Sequence, residues 1–256
     1  IGGEPARFKP FADLYRRAFR ETGKTLQPIG VHSHGYIAAT DALAREDYWP
    51  DYKGMRDRIG AVDENGEVIY GDMLLLIYGR EILTRKPGST FIGEVKCSQI
   101  LYDELKRLGG NPIMYKTGHS LIKAKMKQEH AELAGEMSGH MFFADRYFGY
   151  DDALYAACRL IEIVSKSGKA LSAQLAGLPK MVSTPEIRVD CPDETKFQVV
   201  AKVAEYFKKS HNVIDVDGVR VLFPGGWGLL RASNTQPVLV MRFEASTEAQ
   251  LAEYQN

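Results

Sequence analysis

From about residue 58 onward, two hydrophobic rhythms alternate along the chain, one of period two and one near 3.6, separated by glycine and proline. Residues 59–63 read as a short strand, Asn65-Gly66 as the centre of a hairpin turn, and 68–70 as the returning strand. A helix follows over 71–83, with Asp72 placed to cap it. Then come a strand at 90–95, a helix at 98–108 closed by Gly109-Gly110, a strand at 112–115 and a helix at 119–129. Residues 131–135 lead into a polar loop, and 151–166 read as a helix with Ala, Leu and Ile on its inner face. This β-α-β-α order predicts an α/β fold, a mostly parallel sheet with helices on both sides.

The rhythm breaks over 168–187, which reads as a linker. Beyond it come a strand at 186–189, a helix at 195–208, a hairpin over 213–223 across Asp217-Gly218, a glycine-rich turn at 225–228, a strand at 238–244 and a helix from 247. That is a smaller α+β C-terminal domain, with the boundary near residue 180. Upstream, Phe8, Phe11, Leu14, Tyr15, Ala18 and Phe19 recur at helical spacing over 7–22, ahead of a strand at 25–31, a helix at 36–47 and a loop at 48–55. Three domains are therefore expected, at 1–56, 57–175 and 176–256.

Composition narrows the classes. The 256 residues carry 33 Lys plus Arg and 33 Asp plus Glu, a balance that speaks against nucleic acid and against a membrane surface as partner. No apolar run approaches the length of a membrane span. Cys97, Cys158 and Cys191 are widely spaced and odd in number, so neither a disulfide framework nor a zinc ribbon is suggested, and the expected compartment is the reducing cytoplasm. The chain opens Ile1-Gly2-Gly3-Glu4, without a signal-peptide pattern or an initiator methionine, as a processed or trimmed chain would. The pattern is silent on oligomeric state.

Four stretches carry candidate chemistry. Gly135-Glu136-Met137-Ser138-Gly139-His140 places a carboxylate, a hydroxyl and an imidazole at alternate positions. In an extended loop these share one face, suited to a polyhydroxylated ligand. Arg231-Ala232-Ser233-Asn234-Thr235-Gln236-Pro237 offers a planar guanidinium with small donors, a phosphate cradle in outline. Lys96 in Gly93-Glu94-Val95-Lys96-Cys97-Ser98 lies at a strand's C-terminal end, where open α/β sheets place ligands. His119 in Lys116-Thr117-Gly118-His119 lies just past the next strand and is a candidate general acid or base. Cys97, beside Lys96, reads as a core cysteine at a helix start more than as an activated thiol. His32-Ser33-His34 offers two imidazoles without an obvious third metal ligand.

The loop at 135–143 resembles the sugar-binding loop of the α-D-phosphohexomutases, the phosphoglucomutase and phosphomannomutase family. Asp217-Gly218-Val219-Arg220, Gly225-Gly226-Trp227-Gly228 and the 231–237 loop resemble the family's C-terminal domain, whose Arg-x-Ser-Asn-Thr-x-Pro loop holds the non-reacting phosphate. The resemblance runs from about residue 57 to 245 and covers the family's third and fourth domains. It implies that Glu136, Ser138 and His140 bind the sugar, that Arg231, Ser233, Asn234 and Thr235 bind phosphate, and that His119, Lys96 and Arg58 are catalytic.

Family members interconvert hexose 1-phosphate and hexose 6-phosphate by phosphoryl transfer through a phosphoserine, with hexose 1,6-bisphosphate as intermediate and Mg2+ held in a D-G-D-G-D-R loop. Here that loop is reduced to Asp57-Arg58, with Lys53 and Met55 at the other aspartates' places, so the implied metal site is incomplete. Residues 50–56 look like the segment after the family's serine loop, but the T-A-S-H-N string has no counterpart, as in a first-domain remnant joined directly to the third domain. The leading expectation is a phosphohexomutase-type isomerase binding glucose or mannose phosphates. The competing one is a non-catalytic sugar-phosphate binder that needs further domains for turnover.

Overall fold

The structure, a computed structural model, describes residues 61–62 and 64–256 together with Arg17, Arg20 and Glu21. Those three are helical, inside the helix expected over 7–22. The strand at 25–31, the helix at 36–47, the loop at 48–55, His32-Ser33-His34, Asp57, Arg58 and the domain at 1–56 lie outside the described residues.

The Asn65-Gly66 turn joins β1 (Ala61–Val62) to β2 (Val68–Ile69), which pair antiparallel as its chemistry requires. There follow α1 (Gly71–Arg85), β3 (Thr90–Glu94), α2 (Gln99–Arg107), β4 (Asn111–Tyr115), α3 (His119–Gln128), β5 (Leu133–Gly135), β6 (Met141–Phe143) and α4 (Ala153–Ser167). The sheet order is β4-β3-β5-β6, parallel except for the β5–β6 pair. Alternation along the strands fills both faces. Phe91, Leu133 and Phe143 point into a core with α1, α2 and α4, while their neighbours Ile92, Ala134 and Phe142 point to the opposite face against Ile122 and Met126 of α3. The mostly parallel sheet between helices is the architecture that the hydrophobic rhythm predicts.

Two local expectations are corrected. Asp72 does not cap α1; its Oδ2 accepts from the backbone N–H of Ser98 at 2.8 Å, tethering α1 to the start of α2. Helix α4 buries Ala156, Ile163 and also Arg159, whereas Leu154 and Ile161 are exposed. Arg159 is tolerated inside because its guanidinium meets Asp145 at 2.9 Å and Glu81 at 3.0 Å and lies over the Phe143 ring at 4.8 Å.

A short turn of 3-10 helix (Ser172–Leu175) leads to β7 (Val182–Ser183), β8 (Ile187–Asp190), α5 (Asp193–Phe207), β9 (Asn212–Ile214), β10 (Val219–Phe223), β11 (Gly226–Ala232), β12 (Val238–Ala245) and α6 (Glu248–Gln255). These strands form one antiparallel sheet, β7-β12-β11-β10-β9, with β8 also paired to β12. The glycine-rich turn expected at 225–228 shrinks to Pro224-Gly225, because Gly226 and Gly228 belong to β11. A Cβ at Gly228 would stand 2.9 Å from the Phe243 ring, and one at Gly226 would press on the carbonyl of Glu244. Glycine serves there for close strand packing.

Arg58–Asn256 is one compact unit, and the two sheets meet within it. Trp227 and Leu229 pack on Val95 at the end of β3. Beside them Arg220, fully buried, donates to the carbonyls of Val95 at 2.6 Å and Cys97 at 2.8 Å and lies 3.8 Å from the Trp227 ring. Burial pushes its pKa down to about 10. The C-terminal ends of the parallel strands are thereby bolted to the antiparallel sheet. No helix among the described residues is long and apolar enough to cross a membrane.

Candidate functional site

The loop expected to be extended is a tight turn. Glu136 N–H donates to the carbonyl of His140 at 3.0 Å, Gly139 N–H donates to that of Glu136 at 3.0 Å, and Gly139 has a φ of 94°, which favours glycine. Glu136 and Ser138 still meet, now through the turn: Ser138 Oγ donates to Glu136 Oε2 at 3.3 Å. Glu136 is 5% exposed, and its Oε1 accepts from Gly118 N–H at 2.9 Å, which binds the turn to the start of α3. The turn also packs on α1, where Gly71 N–H donates to the carbonyl of Met137 at 3.2 Å.

His119 opens α3 and reaches back over this turn. Its Nε2 lies 3.9 Å from Glu136 Oε2 and 3.8 Å from Asp151 Oδ2, and its ring stands edge-to-face with that of His140 at 4.0 Å. His140 Nδ1 is 2.7 Å from Asp151 Oδ2. Both imidazoles are over 40% exposed, so they form an open rim above the sheltered carboxylate of Glu136. Asp151 had no local signal in the sequence beyond starting a helix.

Below this rim lies a buried charge cluster. Glu94 is fully buried; it accepts from Thr117 Oγ1 and, at 3.2 Å, from Met137 N–H. Burial pushes its carboxyl above the usual carboxylate range, with Lys96 opposing. Lys96 Nζ lies 3.4 Å from Glu94 and donates to Glu186 at 3.2 Å. Burial disfavours the ammonium, but the two carboxylates outweigh it and raise its pKa. The charge of Lys96 is thus already matched within the protein. Cys97 is fully buried, and burial pushes its thiol well up, as a core cysteine requires.

Of the stretch expected as a second loop, Arg231 instead belongs to the end of β11, where it pairs with Val240; it is 6% exposed, and its Nε donates to Asp217 Oδ2 at 3.0 Å. Its two terminal nitrogens make no hydrogen bond among the described residues. Ser233 Oγ accepts from the backbone N–H groups of Thr235 at 3.3 Å and Gln236 at 3.2 Å, so it shapes the turn from within. Asn234 and Thr235 are exposed at the tip. Lys196, buried, holds the loop from behind by donating to the carbonyl of Gln236 at 3.1 Å.

The two loops are joined by Asp217, which the sequence showed only as half of a turn. The oxygen that accepts from Arg231 also accepts from Thr117 N–H at 3.0 Å. Thr117 adjoins Gly118, the donor to Glu136. Arg231, Asp217, Thr117, Gly118 and Glu136 therefore form a continuous line from one loop to the other. Asp57 and Arg58 lie outside the described residues.

Comparisons with known proteins identify the family of the chain. Residues 70–182 match the phosphoglucomutase/phosphomannomutase α/β/α domain III, and residues 186–256 match the C-terminal domain of the same family. The chain is 46% identical over 201 residues to a phosphomannomutase/phosphoglucomutase of Pseudomonas aeruginosa, covering 78% of this chain and 43% of the relative. It is 46% identical over 208 residues to a phosphoglucomutase of Neisseria gonorrhoeae, covering 80% and 45%. A crystal structure of a family protein from Burkholderia thailandensis superposes with a TM-score of 0.71 at 38% identity, covering 95% of this chain and 56% of that one. The chain thus spans less than half the length of the curated relatives it matches. With two successive domains of one family matched, and the loops of both joined through Asp217, the chain belongs to the phosphohexomutase family of phosphoglucomutases and phosphomannomutases.

Proposed function

We propose that this chain supplies the hexose-phosphate-recognising part of a phosphohexomutase. The observation that carries the reading is the double acceptor Asp217, which sets the phosphate-type loop and the sugar-type turn on one line. Arg231, oriented through its Nε, presents its terminal nitrogens, unbonded among the described residues, to the non-reacting phosphate. Asn234 and Thr235 at the loop tip add donors, and Ser233 holds the loop's shape. Ser138 and the Glu136 carboxylate hold sugar hydroxyls, with His140 at the rim. His119, exposed and first in α3, exchanges a proton with the reacting hydroxyl. Lys96, sheltered below and matched by Glu94 and Glu186, braces the charge cluster on which the turn rests.

Interconversion of hexose 1-phosphate and hexose 6-phosphate, through a hexose 1,6-bisphosphate, is the isomerase reaction that this part would serve. The residues at the family's metal-loop positions, Lys53, Met55 and Asp57, offer a single carboxylate. That set does not fit Mg2+, a hard cation that takes several oxygen ligands, and no step is derived through it. No observation favours a binder without turnover over this reading.

Calorimetric titration with glucose 1-phosphate, glucose 6-phosphate and glucose tests the assignment. Arg231→Ala should weaken both phosphates by about 1.5–3 kcal/mol, roughly 10- to 150-fold, the scale of a charge-assisted hydrogen bond. Glucose binding should hardly change. Equal losses for the sugar and its phosphates would overturn the phosphate role of Arg231.

A further inference from the structure

His119, His140 and Asp151 do something together that none of them needs for holding a sugar. Their ligand atoms, two imidazole nitrogens and one carboxylate oxygen, all lie within 4.8 Å of one another. We propose that this triad is a binding site for a first-row transition metal ion of the Zn2+ type, with three protein ligands and an open fourth position.

The geometry is close to what such an ion requires. Around a tetrahedral ion with bonds of about 2.0–2.1 Å, neighbouring ligand atoms stand about 3.3 Å apart. Here His140 Nδ1 to Asp151 Oδ2 is 2.7 Å and His119 Nε2 to Asp151 Oδ2 is 3.8 Å, one below and one above that spacing. The three atoms lie within 4.8 Å of one another, so side-chain rotation must draw them in to reach one centre. The ion takes the place of the proton that His140 Nδ1 donates to Asp151, and that proton leaves to solvent. Glu136 Oε2, 3.9 Å from His119 Nε2, borders the fourth position, which water fills.

The ligands are held in advance by the fold. His119 is the first residue of α3, with its ring edge on Phe142 at 5.2 Å. His140 directly precedes β6. Asp151 is fixed by its bridge to Phe142, and its free oxygen Oδ1 accepts from Met141 N–H at 3.3 Å. Such outer contacts orient ligands before the ion arrives and raise affinity. Two imidazoles with one carboxylate select Zn2+, Co2+ or Ni2+ over Mg2+, which takes oxygen. Resting on the function proposed above, the ion would cover the face that reads the sugar, so metal and hexose phosphate would exclude one another.

The test uses the full chain, stripped of metal by a chelator and then dialysed. Zn2+ is titrated calorimetrically, and Co2+ is followed by its visible absorption, which is intense only in a tetrahedral site. One equivalent should bind, Mg2+ should not displace it, and His119→Ala, His140→Ala and Asp151→Asn should each weaken it by about tenfold or more. His140→Gln, which keeps more of the side chain, checks for misfolding, and melting curves must match. A His32→Ala/His34→Ala double variant should retain the binding. Absence of saturable Zn2+ binding would overturn the proposal. So would binding that survives His140→Ala and His140→Gln yet disappears in the double variant. Glucose 1-phosphate should raise the apparent Kd for Zn2+. Zn2+ binding that passes the variant tests but ignores the sugar phosphate leaves the metal site standing and sinks the sugar assignment instead.

Discussion

Glu136 is the residue at which structural and ligand-binding roles are most easily confused, and a pair of substitutions separates them. In Glu136→Gln the amide oxygen can still accept from Gly118 N–H, now at 2.9 Å, and the amide NH2 can donate to Ser138 Oγ, reversing the present bond. The lost charge also relieves repulsion on Glu94, whose carboxyl Glu136 helps to raise. Stability should therefore stay within about 1 kcal/mol, or about 2–4 °C in melting temperature. Glu136→Ala leaves Gly118 N–H without its acceptor and should cost about 1–3 kcal/mol. Ligand binding responds to a different quantity, the gap between a charge-assisted and a neutral hydrogen bond to a sugar hydroxyl. That gap is about 1–1.5 kcal/mol, so Glu136→Gln should raise the Kd for glucose 1-phosphate and glucose 6-phosphate about 5- to 13-fold. Calorimetric titration and thermal melts on the same preparations measure both. If Glu136→Gln loses as much stability as Glu136→Ala while affinity stays within about twofold, Glu136 is a strut for α3 and not a sugar ligand.

Two other substitutions probe the supports of the site. A Cβ at Gly71 would stand 2.6 Å from Gly139 N and press on the carbonyl of Glu136. Gly71→Ala should therefore cost about 1–3 kcal/mol and weaken hexose-phosphate binding through the displaced turn; unchanged melting and affinity would refute that coupling. Asp145 is fully buried; burial opposes its charge, but hydrogen bonds from Arg85 and Arg159 outweigh this and hold its pKa down to about 2. A carboxyl depressed in the folded state stabilises it fully above the unfolded pKa, so this contribution of about 2 kcal/mol should fade as pH falls from about 4 to about 2. Asp145→Asn should cost about 1–3 kcal/mol at pH 7, since Arg159 keeps Glu81 but loses a charge-assisted partner, and its urea midpoint should vary less with acid than that of the unsubstituted chain; the same acid dependence in both would refute the assignment.

Much of the fold was legible because its signals are local. Asn65-Gly66 can form only a few turn types, and the alternation through Phe91-Ile92 and Phe142-Phe143 marks strands covered on both sides. The Arg231 and Glu136 loops were visible as concentrations of polar groups beside glycine and proline. Where the reading failed, a distant partner had decided. Asp72 has the residue type and position of a cap, yet it bonds to Ser98, brought close only when α1 and α2 pack. Gly226 and Gly228 look like a turn, but they are the places where β12 and the Phe243 ring approach β11 too closely for any side chain.

The sequence by itself determined most of the elements of the parallel-sheet part, the family and the two stretches that carry chemistry, since each depends on residues near one another in the chain; β7 and β11 it did not reveal. Only the tertiary structure decided which side chains serve the site and which serve the scaffold. Lys96 and Glu136 read alike as ligand-binding chemistry, but both are buried and held by partners, Glu186 and Gly118, that lie 90 and 18 residues away. Asp217, a turn residue in the sequence, becomes the junction of the two sheets because Thr117 and Arg231 reach the same oxygen from either side. Hydrogen bonds and charge pairs act over a few ångströms. Chain separation does not reveal which groups come that near, and so the site's connections could be read only after the sheets had met.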